Sequence, residues 1–454
     1  MKSSKRQYTV TSLNQKNNGD YLKHPLKEIL DKRKKGMNSG IASYCTANNI
    51  VIETILEYYL DTNDYVLIEC TANQVNQFGG YTGMTPAGFR DYVFDIAEKI
   101  GFPKDKIILG ADHFGPLPWA DKNESEAMKN ANELVRLAVL AGYTKIHLDT
   151  SMFLASDDTS KKLSDETIAR RGAELYKTCE ESFIERSNEF PDSIHPVYII
   201  GSEVPIPGGE YEEKATLEVT NPIDFENTIN TYDKIFKENG LKDAWSNIIA
   251  VVVQPGVEFS NEEIHDYNRN DSKELCKKLK EYPHLVFEGH STDFQFKEKL
   301  KEMVEDGIAI LKVGPAVTYA LREGLFSLSL MEKELIKNEN EKANFIELLE
   351  KIMSDNPKDW EKYYQGNELE QQLQRKYSFS DRCRYYMSKK EINQCIDELF
   401  KNIDSSDLPL GMIKQYCPNT YLKIRSEQIE KNARNIVKSN IHEVINDYYY
   451  AIEK

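Results

Sequence analysis

Four side chains that could bind a metal or move a proton stand directly after apolar, strand-like runs, although they lie far apart in the sequence. Asp112 and His113 follow such a run in GADHFGP, Glu203 follows one in GSEVPIPGGE, and His290 follows one in FEGHSTDFQ. Carboxylates and imidazoles that converge on one buried point lose hydration and repel one another unless a positive charge compensates them. A divalent metal is the simplest compensation. His113, His290 and an oxygen of Glu203 would suit zinc, manganese or a similar ion with open positions for a substrate.

The two carboxylates at this predicted metal site, Asp112 and Glu203, are the candidate catalytic groups. Asp112 is adjacent to His113 and is the candidate proton acceptor. A metal that holds the carbonyl and hydroxyl oxygens of a ketose stabilises the negative charge of an enediolate or alkoxide, while a carboxylate moves the proton. These are the minimum requirements for retro-aldol cleavage, and equally for epimerisation by aldol cleavage and re-addition.

Polar residues at equivalent positions are candidate contacts to the substrate or its phosphate. They are Gln254, Ser291, Asp293, Lys312 and Gly314. Phosphate sites of barrel enzymes commonly use the loops after the seventh and eighth strands, which favours Ser291 and Gly314. Lys312 could instead form a structural salt bridge, and His147 and Asp149 either line the pocket or fill the barrel interior. These alternatives stay open.

Eight short β-rich runs position these residues and alternate with longer amphipathic segments. The runs are Ile41–Cys45, Val66–Cys70, Ile107–Ala111, Lys145–Asp149, Val197–Glu203, Ile248–Gln254, Leu285–Gly289 and Ala309–Gly314. Their near-continuous apolar character is typical of parallel strands buried on both faces, and segments such as Pro86–Ile100 and Glu124–Ala141 have helical periodicity. The pattern predicts an α/β fold with a closed (β/α)₈ barrel, whose catalytic groups project from the carboxyl ends of the strands. A single histidine or carboxylate is usually structural, but five or six at equivalent strand ends favour one functional site.

The sequence after the eighth run predicts a helical C-terminal extension. A helical pattern runs from about Thr318 to Asn338, and charged, tyrosine-rich sequence without a comparable strand continues to Lys454. We expect a barrel over residues 1–330 and an extension packed on it over residues 331–454. Aromatic residues such as Trp360 and Tyr364 could pack these helices together or face a partner subunit. We also expect a homo-oligomer.

Composition disfavours two classes of partner and indicates a compartment. The chain has 454 residues, 58 basic and 74 acidic side chains and a net charge of −16, without a dense Lys/Arg block. Nucleic acid and anionic membranes are therefore not expected partners. The N-terminus is polar, and no run reaches the roughly eighteen apolar residues of a membrane span. The seven cysteines lack CxxC pairing, which is typical of reduced thiols, so we expect a cytoplasmic protein.

Long motifs of this chain resemble the tagatose-bisphosphate aldolase Z-subunit family (GatZ/KbaZ), from about Leu26 to about Pro418. They are TANQVNQFGGYTGMTPAGFRDYVFDIAEKIGFPKDKIILGADHFGP, KIHLDTSM, GSEVPIPGGE, IAVVVQPGVEF, GHSTDFQ, ILKVGPAVTYALRE and PLGMIKQYCP. The resemblance implies a class II aldolase type of barrel and a non-catalytic subunit that stabilises a separate catalytic aldolase subunit in galactitol or N-acetylgalactosamine catabolism. It also implies a second possibility, since relatives are reported to be ketose or ketose-phosphate 4-epimerases.

The wider class II aldolase pattern can be carried over only where residues match. Asp112–His113 resembles its catalytic aspartate and metal histidine, His290 resembles the metal histidine after the seventh strand, and Lys312–Gly314 resembles a substrate-contacting segment. The stretch from residue 203 to residue 210 resembles its glutamate and double-glycine segment. The sixth strand departs from the pattern, because the position of a further metal histidine falls near Ala250, which cannot coordinate. This departure puts autonomous aldolase activity in doubt.

Two functional readings therefore remain, and a third that the family has carried is disfavoured. The missing histidine and the large extension favour a subunit that supports a catalytic aldolase. The retained acids and imidazoles favour a stand-alone, metal-dependent 4-epimerase of a ketohexose or its phosphate. The family has also been labelled tagatose-6-phosphate kinase, but this sequence contains neither GxxxxGK[ST] nor a protein-kinase motif set.

Overall fold

The computed structural model describes residues 22–202 and 217–452, and eight parallel strands form a closed barrel at its centre. The barrel strands are β1 (Ile41–Cys45), β2 (Val66–Thr71), β3 (Ile107–Phe114), β4 (Lys145–Leu148), β5 (Val197–Ile200), β6 (Ile248–Val253), β9 (Val286–Gly289) and β10 (Ile308–Val313). Around the barrel their order is β1-β10-β9-β6-β5-β4-β3-β2. The short strands β7 (Glu258–Phe259) and β8 (Ile264–His265) form a separate antiparallel pair between β6 and β9.

Helices surround the barrel and continue beyond its last strand. Those of the barrel region are α1 (Lys27–Lys34), α2 (Asn49–Leu60), α3 (Pro86–Ile100), α4 (Glu124–Ala141), α5 (Asp165–Glu189), α6 (Pro222–Glu238), α7 (Arg269–Leu279), α8 (Lys297–Asp306) and α9 (Pro315–Leu335). Those that follow are α10 (Phe345–Asp355), α11 (Glu368–Tyr377), α12 (Lys390–Asp404), α13 (Leu410–Tyr416), α14 (Pro418–Arg425) and α15 (Ala433–Ile452).

The predicted fold is confirmed, because each of the eight apolar runs supplies one barrel strand. The two helices predicted by periodicity, α3 and α4, have the predicted bounds. Local chemistry explains those bounds. The Thr85 side chain accepts a hydrogen bond at the start of α3 and Asn123 does so for α4, while both helices end at a left-handed glycine, Gly101 and Gly142.

The barrel interior changes from apolar to charged along its axis. At the amino ends of the strands an apolar layer that includes Ile41, Leu67 and Ile310 is covered by Ile29 and Leu30 of α1. The next layer contains a buried lysine between two buried carboxylates. Lys145 Nζ lies 2.7 Å from Glu69 Oε1 and 2.7 Å from Glu288 Oε2, and all three side chains are fully buried. This charged layer supports the polar residues above it.

Gly110 on β3 makes room for this buried ion-pair layer. Its register partners are Glu69 on β2 and Lys145 on β4, so it faces the barrel interior between them. A Cβ atom at Gly110 would lie 2.2 Å from Glu69 Oε1. The close approach of the carboxylate therefore requires glycine at this position.

The C-terminal extension joins the ring of helices around the barrel. Helix α15 packs against α2, α8 and α9, and Arg434 and Lys438 on α15 form ion pairs with Glu53 on α2. Helix α9 continues through residue 330, so the division into residues 1–330 and 331–454 stays a prediction. Trp360, Tyr364 and other extension aromatics are buried within the fold. In the described parts of the chain no helix has the length and apolar character needed to cross a bilayer.

Candidate metal centre

Four buried side chains meet at the mouth of the barrel, the end formed by the carboxyl ends of its strands. They are Asp112, His113, His147 and His290, which we call the Asp-His cluster. One ligand atom of each lies within 4.8 Å of those of the others. The distances between imidazole ring centroids are 5.1 Å for His113–His147, 4.8 Å for His113–His290 and 5.1 Å for His147–His290.

A backbone irregularity at the end of β3 allows two consecutive residues to enter this cluster. Successive strand residues normally point to opposite faces. His113 has a φ of 48°, in the left-handed region, and the register of β3 with β4 shifts between Ala111 and Phe114. Such an irregularity redirects a side chain at a strand end. The His113 amide donates to His147 Nδ1 at 3.3 Å, which ties the bulge to the next strand.

Carboxylates behind the cluster orient two of the imidazoles. His113 Nδ1 lies 2.7 Å from Asp149 Oδ2, and His290 Nε2 lies 2.9 Å from Glu288 Oε1. When each of these nitrogens carries the proton, the other ring nitrogen presents its lone pair to the cluster, as in histidine ligands supported by carboxylates. Burial opposes ionisation of Glu288, but Lys145 and His290 outweigh it and hold its pKa well below the usual value.

The electrostatics of the cluster favour neutral imidazoles at His147 and His290 beside an ionised Asp112. Burial and the Lys312 ammonium hold the pKa of His290 well below its usual value, and burial also lowers that of His147. Burial alone would raise the pKa of Asp112, but His113 and Lys312 lower it well below its ordinary value. Lys312 Nζ contacts Asp112 Oδ1 and lies 3.5 Å from His290 Nδ1. Its positive charge thus lies against the ligand atoms.

Most of the remaining predicted substrate contacts line the same pocket. Ser291, Asp293, Lys312 and Gly314 do so together with Asp112, His113 and His290. Gln254 does not line it, because its Oε1 accepts hydrogen bonds from the amides of Gly256 and Val257 at 2.9 and 3.0 Å. Glu203, predicted both as a metal ligand and as a catalytic group, lies outside the described residues.

An internal carboxylate occupies the amide donors that were expected to hold a phosphate after the eighth barrel strand. Asp293 Oδ1 accepts hydrogen bonds from the amides of Gly314 at 3.0 Å and Ala316 at 2.8 Å, at the beginning of α9. Burial raises the pKa of Asp293 to about 6, although these amides act in the opposite direction. The loop after β10 therefore binds a side chain of the protein itself.

The register of β6 shows where a histidine at residue 250 would lie. Ala250 pairs with Val286, four residues before His290, which corresponds to roughly 13 Å along a strand. A histidine at residue 250 would therefore lie in the apolar layer, far below the cluster. Val253 pairs with Gly289, so the residue level with His290 is Gln254. The third imidazole comes instead from β4, through His147.

Sequence reasoning left two contributions to this site undecided or unnoticed. Lys145 and His147 alternate along β4 and Asp149 comes directly after it, which is the signal that the three share one face and point inward. Arg384 and Tyr385 also line the pocket, from a short 3₁₀ helix at Arg382–Tyr385 in the C-terminal extension. No local motif marks these two residues, because only the path of the extension brings them to the barrel mouth.

The residues of the cluster fit a divalent metal. Three imidazoles and one carboxylate form a donor set typical of zinc and related ions. Burial lowers the pKa of His147, so its imidazole is neutral, as a metal ligand must be. His113, His147 and His290 would hold the ion, with Asp112 beside it.

Comparison with known proteins identifies the family. The family described as D-tagatose-1,6-bisphosphate aldolase subunit GatZ/KbaZ-like matches residues 26–453. D-tagatose-1,6-bisphosphate aldolase subunit GatZ of Salmonella agona (strain SL483) is 41% identical over 425 residues, which cover 94% of this chain and 98% of that protein. The same subunit of Salmonella paratyphi B (strain ATCC BAA-1250 / SPB7) is 42% identical with the same coverage. A crystal structure described as a probable tagatose 6 phosphate kinase from Sinorhizobium meliloti 1021 is 38% identical, with a TM-score of 0.81, and covers 91% of this chain and 100% of that one. The chain therefore belongs to the GatZ/KbaZ-like family of D-tagatose-1,6-bisphosphate aldolase subunits.

Proposed function

We propose that this chain is a subunit of D-tagatose-1,6-bisphosphate aldolase that supports the activity and stability of a separate catalytic subunit. The observation that carries this proposal is the family match over residues 26–453, together with relatives of that name that align along almost their whole length. We also propose a cytoplasmic homo-oligomer that acts in galactitol or N-acetylgalactosamine catabolism. Its barrel and C-terminal extension would divide near residue 330.

A second function, metal-dependent 4-epimerisation of a ketohexose or its phosphate, is favoured by the Asp-His cluster. A subunit with only a structural role has no need for three convergent imidazoles, two of which are oriented by the buried carboxylates Asp149 and Glu288. Burying such groups costs free energy unless they are paired or bind an ion. Their presence supports chemistry on a ketose at this mouth.

The arrangement suits cleavage and re-formation of the bond between C3 and C4 of a ketose. A divalent metal bound by the three histidines would supply Lewis-acid stabilisation of negative charge on the ketose oxygens. Asp112 would accept the proton of the C4 hydroxyl as the C3–C4 bond breaks and its electron pair passes to the three-carbon enediolate. Addition of that enediolate to the opposite face of the aldehyde would return the proton from Asp112 and invert C4. Lys312 would hold Asp112 in its ionised form.

The two functions are separated by assays on purified protein with and without manganese or zinc. The chain alone is incubated with fructose 6-phosphate and tagatose 6-phosphate, and the chain mixed with a catalytic aldolase subunit is incubated with tagatose 1,6-bisphosphate. Metal-dependent interconversion of the monophosphates would support the epimerase. Activation of the catalytic subunit without interconversion would support the accessory role alone, and failure of both would refute both proposals.

A matched pair of variants connects either activity to the proposed metal site. His290→Ala removes an oriented imidazole and should abolish bound metal. His265→Ala, on the partly exposed hairpin, should leave the metal content unchanged. Metal content is measured on dialysed protein by elemental analysis. An unchanged metal content in His290→Ala would contradict the proposed site. If the variant loses its metal but still activates the catalytic subunit fully, the metal is needed only for the epimerase reaction.

A further inference from the structure

Arg384 is a cationic side chain at the barrel mouth that forms no ion pair with the carboxylates of the described residues. Two cationic side chains, Lys312 and Arg384, are among the described residues that line the pocket with Asp112 and His290. Lys312 pairs with Asp112. Within the described part of the chain, Arg384 has no carboxylate oxygen within 4 Å of its guanidinium nitrogens.

Hydrogen bonds hold one side of the Arg384 guanidinium and leave the other side available. Nη1 donates to the carbonyl oxygens of Ser380 and Asp381, the latter at 3.1 Å, and Nη2 donates to the Tyr385 hydroxyl at 3.3 Å. A guanidinium has five N–H donors. In the described residues, no acceptor is bound by Nε or by the second hydrogen of Nη2. Nε and Nη2 share one edge of a guanidinium, and such an edge is the fork that binds phosphate or carboxylate in a bidentate manner.

The segment that carries Arg384 is fixed to the barrel. The Asp381 carboxylate accepts from Arg322 Nε at 2.8 Å and from Thr318 Oγ1 at 2.7 Å, both on α9. The Tyr385 ring packs against Tyr81, from the loop after β2, with 4.7 Å between ring centroids. The guanidinium is therefore held in place before a ligand arrives, which reduces the entropy lost on binding.

The backbone amides after the eighth barrel strand, which commonly bind an anion in such barrels, already have an acceptor within the protein. The amides of Gly314 and Ala316 at the beginning of α9 donate to Asp293. A phosphate there would have to displace a buried carboxylate and lie beside its charge. An anionic group of the substrate is therefore better accommodated at the Arg384 fork.

We propose that Arg384 binds the phosphate of a ketose phosphate whose carbonyl end lies at the Asp-His cluster, with the Tyr81 and Tyr385 rings beside it. The C-terminal extension then selects phosphorylated over free sugars. The inference rests on the proposed function only in taking a ketose phosphate as the ligand. Because the contact is one of binding, it is tested without any turnover.

Equilibrium binding of tagatose 6-phosphate, fructose 6-phosphate and the two free sugars to the full-length protein tests this assignment. Arg384→Gln removes the charged fork and should weaken binding of both phosphates about 10- to 100-fold, in line with the strength of charge-assisted hydrogen bonds, without changing the affinity for free sugars. Arg384→Lys keeps the charge and removes the fork, so it should recover part of the loss. Arg425→Lys is the matched control, since Arg425 also donates to a tyrosine hydroxyl, Tyr421 at 3.2 Å, but lies exposed on α14.

The outcomes separate this inference from the proposed function. Equal weakening for phosphates and free sugars, or no weakening in Arg384→Gln, would overturn the role of Arg384 even if the wild-type protein is active. Selective weakening in a protein that neither epimerises nor activates an aldolase would support the phosphate site and refute the proposed function. Thermal unfolding of each variant verifies that it is folded. If Arg384→Gln does not fold, Arg384→Lys serves as the test.

Discussion

The carboxylate of Asp149 lies 2.7 Å from His113 Nδ1, and this contact decides which face of the imidazole is available to the barrel mouth. His113 Nε2 then faces Asp112, at 3.6 Å from Oδ1. Asp149 is itself held by Ser151, whose hydroxyl donates to Oδ1 at 2.7 Å. Burial opposes ionisation of Asp149, yet the His113 contact lowers its pKa well below the ordinary value, so it acts as a permanent acceptor.

Replacing this acceptor should weaken metal binding without removing a ligand. Asp149→Asn keeps the size of the side chain but loses the charge that fixes the His113 proton on Nδ1. We expect about 10- to 100-fold weaker zinc affinity, the usual effect of losing such a partner. Titration against a chelating indicator measures it. Asp158→Asn, an exposed carboxylate bound to Ser160, should leave the affinity unchanged, and equal affinities in the two variants would contradict the orienting role.

His147 should prove as important to the metal as His113 and His290. Burial lowers its pKa, so the imidazole is neutral as a metal ligand must be, and one of its ring nitrogens lies within 4.8 Å of the ligand atoms of Asp112, His113 and His290. His147→Ala should therefore lose most of the bound metal in the dialysed protein. Full retention of metal would show that His147 is not a metal ligand and only packs in the barrel. Metal analysis of His147→Ala and His265→Ala, prepared side by side, distinguishes the two results.

The buried lysine of the charged layer should contribute strongly to stability. Lys145→Met leaves Glu69 and Glu288 buried without their shared cation. Breaking a buried ion pair in this way typically costs about 3 to 5 kcal/mol in the free energy of unfolding. Urea denaturation measures the change, with Lys337→Met at an exposed position as the control. A loss no larger than that of the control would mean that the layer is not ionised.

Two glycine substitutions should change stability in opposite directions. Gly110→Ala places a Cβ against Glu69 Oε1 and should destabilise the fold by about 1 to 3 kcal/mol, as overpacking of a core does. Gly411→Ala has open space around it on helix α13 and should stabilise that helix by up to about 1 kcal/mol. Urea denaturation of both variants provides the comparison, and equal effects would contradict the close approach at Gly110.

Asp293 should make the protein less stable as the pH rises through about 6. The pKa of Asp293 is about 6 in the folded protein, against 3.8 as its ordinary value, so the folded state binds the proton more tightly. The free energy of unfolding should fall as the pH rises from about 4 to about 6 and remain lower above it, by about 3 kcal/mol from this group.

An amide at this position tests the pH dependence of Asp293. Asp293→Asn can still accept from Gly314 and Ala316 but does not titrate, so its pH profile should lack that decline. Urea midpoints at pH 4, 5, 6 and 7 compare the two proteins. Parallel profiles would rule out Asp293 as the source.

The barrel could be predicted from the sequence because buried parallel strands have a strong local pattern of apolar residues. Each apolar run ended within a few residues of a strand boundary, and Asp112, His113 and His290 could be placed at the same end from that pattern alone. Residues whose role depends on distant contacts were harder to place. The place of His147 follows from the alternation of β4, which turns its side chain inward. The role of Asp293 as acceptor of the amides at the beginning of α9 is visible only in the structure, and Arg384 reaches the pocket only through the path of the extension.

The position of helix α15 after the barrel strands in the sequence affects when the site can form. Near its end, the Tyr448 hydroxyl contacts the backbone oxygen of Thr292 at 2.8 Å and its side-chain oxygen at 2.9 Å, two residues from His290. During translation, residues 433–452 emerge from the ribosome only after every barrel strand has been synthesised. The loop that presents His290 therefore gains this support only after all eight barrel strands have been synthesised, and the nascent barrel lacks it until helix α15 has emerged.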